Sequence, residues 1–283
     1  MIVTHNSMQF AGAAVEAAHA RQFNCCASLI DRPRVFGEIL YLLLCGCGVG
    51  YSVQFEHVNR LPALGYVIED SPVVHHNIGD SSEGWADALN VLVDSYIRGY
   101  YVEFGYSRIR PKNAPLKTSG GRAPGHLPLK KTLEDVRGIL DEAQGRRLRP
   151  IECHDILCHA ASAVLSGGIR RSAMIAIFSL EDSEMIYAKT GKWYRKTPWR
   201  AYANNSVAIF PDTKRQQFDR VIELSREWGE PGFVYLASPD HARNPCQPGW
   251  ATLLTPTGIT TLSNIRIGDT VWSGRRWTKV VNK

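Results

Sequence analysis

The sequence predicts an α/β fold followed by a short all-β segment. Three observations carry this reading. Helical and strand-like patterns alternate from about residue 13 to residue 237, glycine and proline clusters punctuate the alternation, and beyond residue 246 only short β-type runs occur. Strand, helix and strand in repetition give parallel strands joined by crossovers, hence an α/β sheet or barrel.

The first helix is predicted at Ala13–Ala20, followed by a strand over Gln22–Leu29 that holds Asn24, Cys25 and Cys26. An apolar helix, Val35–Leu44, runs into the glycines of CGCGVG, and the chain resumes as a strand near Tyr51–Phe55. Asp80-Ser81-Ser82-Glu83 reads as a capping box for a helix whose Trp85, Leu89, Leu92 and Tyr96 recur at helical spacing. Burying that stripe contributes about 2 kcal/mol per large side chain, so it must face a sheet or another helix. A strand at Tyr100–Tyr106 follows.

Residues 110–127 carry Pro111, Pro115, Pro124 and Gly120-Gly121, continue neither element, and form a long surface loop. Helices at Leu129–Gln144 and Glu152–Leu165 lead through Gly167-Gly168 to a strand at Ser172–Phe178. A strand at Asn205–Phe210, a helix at Thr213–Trp228 and a strand at Gly232–Leu236 complete the alternation. In parallel sheets ligands bind at the carboxyl ends of strands. Cys25, the glycine turn before Tyr51 and the loop after Leu236 are therefore candidates for one shared pocket. The tail reads as short strands, Thr252–Thr255, Ile259–Leu262 and Thr270–Trp272, separated by Pro256, Gly258, Gly268-Asp269 and Gly274, which sets a domain boundary at 245/246.

Composition narrows the class. A chain of 283 residues, 44% apolar and 21% charged, is globular in make-up and long enough for a sizeable core. It contains no run of about 18 apolar residues and no basic-then-apolar leader, which places it in the cytoplasm and away from membranes. The formal charge of +6 is scattered in short clusters such as Lys130-Lys131 and Arg170-Arg171, a solvated-face pattern that gives no direct nucleic-acid surface. Seven cysteines without a secretory signal are thiols by default, so one or two reactive ones are expected among small buried ones.

Each candidate motif has a plain structural reading beside the functional one. GCGVG at 46–50 follows a helix and precedes a strand, the reverse of a dinucleotide fingerprint, which leaves helix-end packing or backbone contact with a substrate. Cys45, Cys47, Cys153, His154, Cys158 and His159 offer metal-type donors. Only His154 and Cys158 share a helical face, and no metal site is expected. In Asn244-Pro245-Cys246 the proline restricts its neighbour and presents the cysteine at a defined angle.

Taken together, FNCCASL (23–29), CGVGYSV (47–53), EGWADALNVLVD (83–94), IRP with SGGRAPGHLPL (109–111 and 119–129), GGIRRSAMIAIFS (167–179), ANNSVAIF (203–210), GEPGFVYL (229–236) and NPC (244–246) resemble the adenosylcobalamin-dependent, class II ribonucleotide reductases, especially the monomeric triphosphate type. The resemblance covers most of residues 20–246. It implies the N-terminal part of a ten-stranded α/β barrel, made of two five-stranded parallel halves with a central finger loop. It further implies adenosylcobalamin as cofactor, a ribonucleoside triphosphate or diphosphate as substrate, a thioredoxin-type reductant, and room for a deoxynucleotide effector. In that family a finger-loop cysteine becomes a thiyl radical that takes the ribose 3′-hydrogen, and two further cysteines reduce the 2′ position as they form a disulfide. Carried onto this chain, Cys25 matches the first of the reducing pair, Asn24 and Gly48 fall where substrate is contacted, and Asn244 matches the finger-loop asparagine that faces the ribose.

The family continues NPC with Gly-Glu, the glutamate being the general base, whereas this chain reads Gln247-Pro248. The partner cysteine of Cys25 and the later barrel strands are not in the sequence. CQPGWATLLTPTGITTLSNIRIGDTVWSG instead resembles the N-terminal block of an intein, with a Hedgehog/intein-type β-fold. A splicing element needs a nucleophile as its first residue, and Cys246 meets that need. Cys246 is thus the splicing nucleophile or, in the competing reading, the radical cysteine itself. The expected domains are 1–245, the N-terminal half of a reductase barrel, and 246–283, an N-terminal intein segment. The expected chain is the upstream piece of a split or shortened gene, inactive alone. The alternative is a catalytically dead nucleotide-binding half-barrel.

Overall fold

The computed structural model describes residues 19–116, 122–166, 173–240, 252–272 and 277–280, together with Gly12 and Glu16. Two compact units make up the chain, Met1–Pro245 and Cys246–Lys283.

The first unit is built on a sheet of five strands: β1 (Cys25–Leu29), β2 (Gly48–Ser52), β5 (Met174–Phe178), β6 (Asn204–Ile209) and β7 (Gly232–Tyr235). They lie in the order β1-β2-β5-β6-β7, and every neighbouring pair is parallel. Between β2 and β5 the chain makes a second, smaller parallel pair, β3 (Val73–Asn77) with β4 (Tyr101–Gly105).

Helices cover one face of the main sheet. These are α1 (Val35–Leu44), α2 (Ser82–Arg98), α3 (Leu127–Glu142) and α4 (Pro150–Leu165), and a further helix, α5 (Arg215–Trp228), joins β6 to β7. Val49 and Tyr51 of β2, Met174 and Phe178 of β5, and Val207 of β6 meet Phe36, Leu40, Leu89 and Ile156 in one buried core. The ends of α2 follow from its sequence. Ser81 Oγ accepts the Gly84 N–H at 3.0 Å, and Gly99 takes the left-handed conformation at φ 76° that closes the helix. Asp80 is not part of that cap; its carboxylate receives the Arg110 side chain at 2.8 Å instead.

The tail unit holds two antiparallel hairpins, β8 (Thr252–Thr255) with β9 (Gly258–Thr261) and β10 (Thr270–Trp272) with β11 (Trp277–Lys279). Gly258, at φ 125°, allows the tight turn between β8 and β9, and Thr255 Oγ1 donates to its carbonyl at 2.7 Å. Trp272 and Trp277 stack edge to face across the second hairpin, 5.3 Å between centroids.

Several sequence expectations shift. The helix expected at Ala13–Ala20 falls largely outside the described residues, and His19–Gln22 is a 3₁₀ turn. The second strand begins at Gly48, not Tyr51, and Phe55 opens a short helical turn, Phe55–Val58. Pairing with β1 and β5 draws the glycines into the sheet despite their weak strand preference. β3 is an element the sequence reading did not expect. Among the described residues no helix is long and apolar enough to cross a membrane.

Candidate functional site

Successive side chains of a strand point to opposite faces, so the face away from the helices can be read across the register. Its first row is Cys25 opposite Gly48; its second is Ala27, Gly50, Ile175 and Asn204; its third is Leu29, Ser52, Ile177, Ser206 and Gly232. The face is therefore lined mostly by small side chains at the β1–β2 end, where Ser52 supplies the hydroxyl. Toward β7, Ile177, Ala208, Val234 and Leu236 form a small apolar cluster on it. The first two rows of the face, with Cys25 and Gly48 half-buried and Ala27 and Asn204 exposed, leave room for a ligand to lie against backbone, whereas Ser52 in the third row is fully buried.

Cys25 is half-buried, and Asn24 beside it is exposed. The Asn24 carbonyl accepts the Gly48 N–H at 2.9 Å, which joins the entries of β1 and β2 at the two positions expected to contact substrate. Both positions lie at the amino ends of their strands. The loop after Leu236 leaves the carboxyl end of β7, so the three expected components of a shared pocket do not sit at one edge of the sheet. The offset arises because the strand begins at Cys25 itself, set by its pairing to Gly48. Asn244 and Cys246 lie outside the described residues, as do Gln247 and the Ser119–Gly121 part of the long loop.

At the opposite edge a polar cluster, absent from the sequence reading, holds the chain that leads toward Asn244. Ser52 Oγ lies 2.8 Å from His57 Nδ1 and accepts from Gln54 Nε2 at 2.9 Å. Gln54 Nε2 also donates to the Pro239 carbonyl at 3.2 Å, and His57 Nε2 lies 3.8 Å from Asp240. His57 is fully buried, and burial pushes its pKa down. The available signal was the run of polar residues in SVQFEH directly after a buried strand; what it touches, across 185 positions, was not visible.

On the helix side, Tyr51 Oη lies 2.8 Å from His154 Nδ1, and His154 Nε2 is 3.7 Å from Cys158 Sγ. All three are fully buried. Burial lowers the His154 pKa to about 3 and pushes the Tyr51 hydroxyl and the Cys153 and Cys158 thiols up, so each is held neutral. His154 and Cys158 thus form an interior hydrogen-bonded chain, and among the described residues no group of three or more His, Cys, Asp or Glu could hold a metal ion. A groove of about 550 Å³ opens at the carboxyl ends of β6 and β7, lined by Ile209, Phe210, Thr213, Phe218, Tyr235 and Leu236.

No family model matches the chain. It is similar to the adenosylcobalamin-dependent ribonucleoside-triphosphate reductase of Levilactobacillus brevis, 29% identical over 231 residues, covering 69% of this chain and 30% of that protein. The enzyme of the same name from Lactobacillus leichmannii is 28% identical over 228 residues, with the same coverage of 69% and 30%. The Euglena gracilis one is 30% identical over 230 residues, 77% of this chain and 30% of that protein. A crystal structure of a B-12 dependent (class II) ribonucleotide reductase superposes with a TM-score of 0.67 at 22% identity, over 83% of this chain and 38% of that one. The chain therefore spans about a third of the length of the proteins it matches, and the structural likeness bears on the fold: a mixed α/β arrangement with a parallel sheet.

Proposed function

We propose that this chain is the N-terminal portion of an adenosylcobalamin-dependent ribonucleotide reductase, serving deoxyribonucleotide synthesis, joined at Cys246 to the N-terminal segment of an intein. The observation that carries the first half is the pairing of Cys25 with Gly48 on the open face of an all-parallel five-stranded sheet, in a chain similar to reductases of that name.

In this reading the sheet is one half of a barrel, and its open face becomes the interior once the second half arrives. Asn24 and Gly48 contact a ribonucleoside triphosphate through exposed backbone and side-chain atoms. Cys25 acts as one of two thiols that deliver hydrogen to the 2′ position, with its partner supplied from downstream and a thioredoxin-type reductant regenerating the pair. Asn244 orients the ribose. Gln54, Ser52 and His57 fix the Pro239–Asp240 stretch from which the chain continues toward Asn244. Adenosylcobalamin, when bound, supplies the radical character that inert sugar carbon–hydrogen bonds require.

For the tail, the boundary between compact units at 245/246 and the two antiparallel hairpins support a separate β-type element whose first residue is Cys246. Cys246 then serves as the splicing nucleophile: its thiol adds to the Pro245 carbonyl, the Pro245–Cys246 C–N bond breaks, and the thiol proton passes to the freed Cys246 amine, leaving a thioester; the radical cysteine is the first residue of the downstream flank.

The test is co-expression with a downstream fragment that completes both the intein and the reductase. The expected product is a ligated polypeptide lacking residues 246–283, formed by the native chain and not by Cys246→Ala, that reduces ribonucleoside triphosphates only with adenosylcobalamin and loses activity in Cys25→Ser. Absence of ligation overturns the intein half of the proposal. Ligation without reductase activity, or activity that survives Cys25→Ser, overturns the other.

A further inference from the structure

The hydrogen bonds among Ser52, Gln54 and His57 at the carboxyl end of β2 run in one direction. The Pro239 carbonyl can only accept, so the Gln54 atom 3.2 Å from it is the amide nitrogen, and that fixes which way the side chain is turned. The same nitrogen donates to Ser52 Oγ at 2.9 Å, and the Gln54 backbone N–H donates to it at 3.3 Å. A hydroxyl oxygen has two lone pairs and one proton. With both lone pairs taken, the Ser52 O–H donates to His57 Nδ1, 2.8 Å away. The ring, held neutral by burial, then carries its proton on Nε2.

That buried N–H has no hydrogen-bond partner among the described residues, but the carboxylates of Asp240 and Glu56 stand 3.8 and 3.9 Å from Nε2. Glu56 is the ring's own sequence neighbour, whereas Asp240 directly follows Pro239. Arg60 also faces Asp240, at 3.8 Å, and reaches Asp31 at 4.0 Å. The short turn that carries His57 is itself pinned, since the Phe55 N–H donates to Ser179 Oγ at 3.1 Å just beyond β5. The relay therefore starts on Pro239 and ends facing the next residue of the same chain.

We propose that Gln54 and His57 are positioning residues for the reductase chemistry, gripping Pro239 and Asp240 from the two ends of one directed relay and so setting where the chain toward Asn244 leaves the sheet. The relay itself rests on hydrogen-bond chemistry; its consequence for catalysis rests on the reductase reading above. Gln54 sets the direction because its amide nitrogen supplies two donors, one for Pro239 and one for Ser52. A glutamate of the same size would turn an acceptor toward the Pro239 carbonyl, and a methionine would fill the space and donate nothing. At the other end the grip on Asp240 is an attraction between an N–H and a carboxylate that lie beyond hydrogen-bond distance.

Limited trypsin digestion of the full chain tests the relay without reference to activity. Arg243 is the first trypsin site after Asp240, and Arg98, at the end of α2, is a remote reference. Gln54→Glu, Gln54→Met and Asp240→Ala should each be cut at Arg243 about fivefold faster relative to Arg98, the factor that one hydrogen bond of ordinary net strength represents. Asp240→Asn keeps an acceptor and should be cut as the native chain is. Relative rates equal to native in the Gln54 variants overturn the relay; should those variants fail to fold, the two substitutions at the exposed Asp240 decide. In the ligated reductase, Gln54→Met should lower kcat about tenfold and leave KM unchanged. An unchanged kcat, or a change confined to KM, overturns the positioning role. A native ligated enzyme without activity removes the reductase reading and that role with it, while the cleavage rates still judge the relay.

Discussion

The Tyr51 hydroxyl and the Nδ1 of His154, 2.8 Å apart and both fully buried, tie the middle of β2 to α4 across the main core. Cys158 extends the chain on the far side of the ring. With the imidazole held neutral, one ring nitrogen donates and the other accepts, so the tautomer sets the direction of the whole chain. Tyr51→Phe preserves the ring but leaves the buried Nδ1 of His154 without its partner, and should lower unfolding free energy by about 1–3 kcal/mol. Urea unfolding of both proteins measures this; an unchanged midpoint would show that the hydrogen bond contributes nothing.

His154 also gives the fold a pH dependence. Its pKa is about 3 when folded, below its ordinary value near 6.5 when unfolded, so between those values the unfolded chain binds a proton that the folded one refuses. The stability it contributes is complete above about pH 6.5 and is lost progressively as pH falls toward 3. His154→Gln should flatten the stability profile between pH 6.5 and 4, read by thermal melts at half-unit steps.

Glu152, nearly buried at the start of α4, receives Arg146 at 2.7 Å and Arg149 at 2.8 Å. Burial opposes its charge, but the hydrogen bonds from the two guanidinium groups and from the Arg149 N–H prevail and lower its pKa to about 2. Its contribution is present above the usual carboxylate range and lost as pH falls through 2. Glu152→Ala should cost about 2 kcal/mol, discounted for the half-exposed arginines, and Glu152→Gln less.

Thiol reactivity should sort by location. Cys25 and Cys26 are half-buried, whereas Cys153 and Cys158 are fully buried with their pKa values pushed up. In native buffer iodoacetamide should label the first two within minutes and leave the other two unmodified until denaturant is added. Labelling of Cys153 or Cys158 in the folded state would contradict the packing of α4.

β7 is an edge of the main sheet and exposes Phe233 and Tyr235, with Phe218 of α5 set edge to face against Phe233 at 4.9 Å. An apolar parallel edge of this kind invites association. Tyr235→Lys should reduce light scattering on concentration without moving the melting temperature by more than about 2 °C, since surface changes rarely exceed 0.5 kcal/mol.

What the sequence disclosed follows from how local each signal is. The apolar run of α1 and the Ser81 cap with the Trp85–Tyr96 stripe of α2 are properties of contiguous residues, and both elements form where expected. Cys25 and Gly48 were legible as candidate positions, but not their edge of the sheet, because a strand's start is decided by its partner's register. β3 was missed since VVHHN follows a proline, is mostly exposed and shows no apolar alternation. Gln54 and His57 depend on Pro239 and Asp240, a contact no local pattern encodes.

The order β1-β2-β5-β6-β7 rises steadily along the chain. A nascent polypeptide can therefore lay the sheet down in the sequence of its synthesis, each new strand docking on the rim just completed, with no earlier gap to be filled later. When Tyr235 leaves the ribosome the rim is β7, an edge that bears the exposed Phe233 and Tyr235. Residues 236–283 are made while that rim is exposed, so the pace of translation, as well as equilibrium stability, bears on whether the edge meets another copy of itself first.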